Sequence, residues 1–107
     1  MKYKIELTET AKSDLREIAL YLTEASKEKS VAIGFVNELR EKYRQLEDFP
    51  QIGAYPKDRV LVSLGYRFLV HKDYMTFYTV DDDQKIVRIF AIFHAKRDYI
   101  RVLRTKI

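Results

Sequence analysis

The sequence predicts an α+β fold: an N-terminal strand, a two-helix hairpin packed on a mainly antiparallel sheet, and a short C-terminal helix. Three observations carry this. Apolar residues recur at helical spacing from Ala11 to Leu46. Alternation by two takes over in the second half of the chain, and Pro50 stands between the two regimes.

Lys2–Leu7 alternates, with Tyr3, Ile5 and Leu7 on one side and Lys4 and Glu6 on the other, as in a half-buried strand. Thr8 is placed to cap a helix through its hydroxyl. Ala11, Leu15, Ile18 and Leu22 form the stripe of a first helix, to about Glu24. The polar break 25–30 leads to a second helix, with Ala32, Phe35, Val36, Leu39, Tyr43 and Leu46 on one stripe and Pro50 beyond its end. So short a break predicts an antiparallel hairpin.

The sheet half reads as strands separated by short turns. Val60, Leu61 and Val62 suggest the start of one strand, and Gly65 a turn. Tyr66–Lys72 alternates, with Arg67, Leu69 and His71 on one face. Tyr74–Val80 is a third run, Asp81–Gln84 a turn, and Ile86–Phe93 the most apolar strand. A last helix covers Asp98–Arg104 with Ile100 and Leu103 turned inward. On this reading the helical hairpin covers one sheet face, and only the tail is available to cover the other.

The chain of 107 residues has the size of one domain, 1–107. With 47% hydrophobic and 34% charged residues it is a folding composition. The absence of cysteine excludes disulfides, thiolate nucleophiles and cysteine-held zinc. With only His71 and His94, no metal site and no cofactor is expected. No apolar run is long enough to span a bilayer and the start of the chain lacks a signal peptide's apolar segment, so the expected location is cytoplasmic. Charge is uneven: residues 1–53 carry nine Lys and Arg against ten Asp and Glu, residues 54–107 eleven against six. A basic second half suits an acidic or polyanionic partner, or a solvated surface.

The groups able to act on phosphate lie in that half. Arg67, His94, Lys96, Arg97 and Tyr99 are the candidate catalytic set; Lys57, Arg59, His71 and Lys72 are candidates for substrate binding. Arginine matches a phosphodiester with two parallel hydrogen bonds, and histidine exchanges protons near neutrality. If Arg67 and His94 stood on paired strands, guanidinium and imidazole would meet over one face. Such a set has what metal-free RNA cleavage by the ribose 2′-hydroxyl needs. The plainer readings are a solvated strand end for His71 and Lys72, an exposed loop for Lys57 and Arg59, and core packing for Tyr74, Phe77 and Tyr78.

The segment GYRFLVHKDYMTFYTVDDDQKIVRIFAIFHAKRDY resembles the strand region of the RelE/ParE superfamily. Its pattern is an arginine-bearing strand, Tyr74-x-x-x-Tyr78, an acidic turn, an apolar strand, and His94-x-Lys96-Arg97-Asp98. The N-terminal strand with two helices, and Phe49-Pro50-x-Ile52-Gly53 after them, extend the resemblance over nearly the whole chain. It implies the toxin of a bacterial type II toxin–antitoxin system, neutralised by a cognate antitoxin that wraps it. RelE-like members cut messenger RNA on the ribosome; ParE-like members poison DNA gyrase and lack a nuclease site. The run Phe93–Asp98 is nearer to ParE in wording, and Met75 stands where RelE-like nucleases often carry arginine. The cluster of basic, histidine and tyrosine groups tilts the expectation to a ribosome-dependent, metal-independent endoribonuclease, with gyrase inhibition as the alternative. A general nucleic-acid-binding domain rests on charge alone.

Overall fold

A computed structural model describes residues 2–106, the Lys106 side chain excepted. The chain runs β1 (Lys4–Leu7), α1 (Glu9–Ser26), α2 (Lys29–Asp48), α3 (Arg59–Ser63), β2 (Arg67–His71), β3 (Tyr74–Asp81), β4 (Ile86–His94) and α4 (Tyr99–Lys106). The sheet order is β1-β4-β3-β2, antiparallel except for the parallel β1–β4 pair. This is the expected α+β architecture.

The local reasons are those the sequence offers. Thr8 is extended and its Oγ1 accepts the Ala11 amide, capping α1. The connection to α2 is shorter than expected, because Lys27 closes α1 in the left-handed conformation. Ala32, Phe35, Leu39, Tyr43 and Leu46 are buried along α2, and the last four share a core with Tyr74, Tyr78, Val87, Ile89 and Ile92 of the sheet. Each such large apolar side chain contributes about 1.5–3 kcal/mol on burial.

The opposite face holds a second cluster of Leu61, Tyr66, Met75, Phe77, Ala91, Phe93 and Leu103. Leu103 comes from α4, so the tail covers this face as expected, but α3 shares the work. Residues 60–62 are therefore helix, not the expected strand, and the sheet has four strands. The reason is Asp58, whose carboxylate accepts the Leu61 amide and caps a turn that buries Leu61 alone. Asp58 also receives a two-pronged ion pair from Arg104 at 3.1 and 3.0 Å, which fastens α4 to α3. No helix among the described residues is long and apolar enough to cross a membrane.

The β2 edge is closed rather than open. Ala54 exchanges two backbone hydrogen bonds of 2.9 Å with Phe68, and Lys42 Nζ donates to the Val70 carbonyl.

Candidate functional site

Arg67 and His94 do not meet. Strand β3 lies between their strands: Arg67 pairs with Tyr78, whereas His94 pairs with Tyr74. Four residues along β3 and two strand spacings across put their backbones about 16 Å apart. Arg67 is also occupied. Its Nη1 donates to the carbonyls of Gln51 and Gly53 at 3.1 and 3.0 Å, and its Nη2 to the Tyr55 hydroxyl at 2.6 Å. The guanidinium lies 4.2 Å from the Tyr55 ring centre. This arginine holds the loop after α2.

Tyr78 completes that hold from beneath. Its hydroxyl donates to the Pro50 carbonyl and accepts the Gly53 amide. Burial pushes its phenol pKa upward, against the opposing pull of the Gly53 amide and Arg67. Glycine is required at position 53, since a Cβ there would lie 2.5 Å from the Tyr78 hydroxyl and 2.9 Å from the Phe68 carbonyl.

His94, Lys96 and Arg97 remain together at the end of β4. The His94 Nδ1 accepts the Lys96 amide at 3.1 Å, so in this arrangement the ring proton sits on Nε2. His94 packs edge-on against Tyr74 and lines a shallow cleft with Arg97 and Tyr21. Asp14 and Glu17 of α1 line the same cleft. Their carboxylates oppose the Arg97 charge in that cleft and weaken its pull on a phosphodiester. Lys96 and Arg97 are exposed.

The other candidates are scattered. His71 shares the Tyr74–His94 row, but its Nε2 is bonded to Glu38 at 2.9 Å, and Lys72 reaches the same carboxylate at 3.2 Å. The His71 bond, then that of Lys72, holds the Glu38 carboxyl below its usual range. These contacts tie β2 to α2. Tyr99 lies on the opposite face, its ring tilted against those of Phe77 and Phe68, where its hydroxyl accepts the Lys57 amide. Lys57 and Arg59 are exposed on the connection that leads into α3.

Sequence reading missed a groove between α1 and α2. Its floor is apolar, with Leu15, Ala19, Val36 and Leu39. Lys12, Arg16 and Arg40 stand on its rim, and it continues past Ile33 and Ala32. Lys12 and Arg16 flank the apolar stripe four residues apart, a signal readable only once the partner helix is placed.

The sequence matches, over residues 5–99, a family described as ParE toxin of type II toxin-antitoxin system, parDE. No curated protein sequence matches the chain. Among solved structures the chain is similar to the chromosomal ParDE system from P. aeruginosa, at 20% identity and a TM-score of 0.70, covering 89% of this chain and 98% of that one. It is similar to a free mutant of the E. coli toxin RelE, at 15% identity and a TM-score of 0.66, covering 99% and 97%. The RelBE2 toxin–antitoxin complex from Mycobacterium tuberculosis gives 19%, 0.61, and coverage of 88% and 99%. At these identities the likeness is one of fold.

Proposed function

The chain belongs to the ParE toxin family of type II toxin–antitoxin systems, and from that premise we propose that it arrests growth by binding DNA gyrase rather than by cutting messenger RNA. One observation carries the reading. The groups that RNA cleavage would need are separated: Arg67 is bonded into the loop at 51–55, Tyr99 faces the opposite side of the sheet, and His94 and Arg97 share their cleft with two carboxylates. Cleavage requires general acid, general base and charge-stabilising groups converging on one phosphate. What remains at the end of β4 is one imidazole and two exposed cations.

A ribosome-dependent nuclease is the competing reading, supported by His94, Lys96 and Arg97 sharing one turn. The two part in a single experiment. Brief expression in bacteria should leave translated messages intact while plasmid supercoiling fails, and folded His94→Ala should remain toxic. New cuts inside translated messages, lost in His94→Ala, would overturn the gyrase reading.

The partner in the cell is a cognate antitoxin, as in the toxin–antitoxin complexes that the chain resembles in fold. The sheet face away from the helical hairpin and the β2 edge are covered by α3, α4 and Ala54. The groove between α1 and α2 suits it better: an apolar floor and a rim of Lys12, Arg16 and Arg40 fit an acidic amphipathic segment.

A further inference from the structure

Eleven large apolar side chains are exposed among the described residues, and six of them fall in the connection 49–64: Phe49, Ile52, Tyr55, Val60, Val62 and Leu64. Phe49 is 64% exposed and Tyr55 60%. An exposed apolar segment is ordinarily loose, yet this one is tied at nearly every step. Arg67 and Tyr78 hold residues 50–55, Ala54 bridges to Phe68, the Lys57 amide reaches Tyr99, and Asp58 binds Arg104. Rigid presentation of aromatic and aliphatic side chains to solvent lowers the entropy lost on association.

We propose that the exposed face of residues 49–64 is the surface by which this protein docks on its target, a folded protein that offers apolar pockets rimmed by carboxylates. Two features select that occupant. The apolar side chains of the face stand out into solvent, with Phe49, Ile52, Tyr55 and Leu64 each about half exposed or more. Projecting side chains need preformed pockets in the partner, which a folded protein has and an extended peptide lacks. Lys57 and Arg59 are exposed on the same segment and have no ion-pair partner among the described residues, whereas Asp58 between them is neutralised by Arg104. The free charge is thus positive and calls for acidic groups opposite. The groove between α1 and α2 lies apart from this segment, so antitoxin and target are read by different surfaces.

The inference rests on the gyrase reading, and the test separates the two. Purified full-length wild type, the triple variant Phe49→Ala/Ile52→Ala/Val60→Ala and the exposed-site control Leu20→Ala are compared in gyrase supercoiling inhibition, antitoxin affinity, sedimentation and thermal melting. The triple variant should melt like wild type, keep its antitoxin affinity and lose on the order of 30-fold or more in inhibition, as removal of hot-spot side chains does. Leu20→Ala should behave as wild type. A folded triple variant that inhibits undiminished overturns the surface while leaving the gyrase reading intact. Equal loss of antitoxin binding, or loss of a dimer seen in wild type, assigns the face to the antitoxin or to a second copy and overturns it too. A wild type that does not inhibit gyrase overturns both.

Discussion

The Asp14 carboxylate accepts the Ile92 amide at 3.0 Å, across 78 residues of sequence. This bond sits where β1 has ended and β4 continues. Just before it, the Thr8 hydroxyl donates to the Phe90 carbonyl at 2.9 Å. Together the two side chains of α1 and its cap extend the ladder that β1 leaves unfinished. They flank a bulge: Phe77 pairs with Ala91 and Tyr78 with Ile89, so Phe90 has no opposite number. The bulge reverses the alternation. Val87 and Ile89 face the helices, then Ile92 and His94 do, while Ala91 and Phe93 turn away. His94 shares a cleft with Asp14 and Glu17 because of it.

Asp14→Ala should therefore lower stability by about 1–2 kcal/mol, the cost of leaving a part-buried amide unpaired. Asp14→Asn keeps an oxygen acceptor and should lose less than half of that. Urea denaturation midpoints measure both. Equal midpoints for wild type and Asp14→Ala would mean that water replaces the carboxylate.

Arg67→Ala should destabilise by about 2 kcal/mol, since charged donors to carbonyls are stronger than neutral ones. Arg67→Lys should recover little, because one ammonium cannot span the Gln51, Gly53 and Tyr55 oxygens as the planar fork does. Thermal melts of both variants check this. A catalytic arginine would instead leave the melt unchanged and abolish activity.

Gly53→Ala should cost about 1–3 kcal/mol, because its methyl group would press on the Tyr78 ring and the Phe68 carbonyl. The Phe68 contact is with backbone and cannot swing away. Combining it with Tyr78→Phe should relieve part of the crowding, so the double variant should be less unstable than the sum of the two.

Burial raises the phenol pKa values of Tyr43, Tyr66, Tyr74 and Tyr78 above the ordinary value of 10.0. Tyr43 is the most strongly shifted; its hydroxyl shares a 2.7 Å bond with Thr76 inside the core. The unfolded chain loses these protons near pH 10 while the folded chain keeps them. Stability is therefore full below pH 10 and falls as pH rises beyond it. Melting temperature against pH should bend downward there, and phenolate absorbance from the buried rings should appear together with unfolding. Full ionisation of all eight tyrosines in a folded protein would contradict this.

The sequence by itself determined what depends on local spacing. The stripe of α2, the cap at Thr8, the strand 86–93 and the shared face of Arg67 and His71 all follow from side-chain periods of 3.6 and 2. It misjudged residues 60–62 because Val-Leu-Val favours strand, whereas the deciding group, Asp58, acts through a cap that the apolar pattern does not contain. Only the tertiary structure decided the site. Strand order is a matter of which edges pair, and β3 between β2 and β4 separates Arg67 from His94. The facing of His94 depends on a bulge held by Thr8 and Asp14, more than 75 residues away in the chain. No period in the sequence records an interaction between positions so far apart, because its energy comes from a contact that exists only once the sheet has closed on α1.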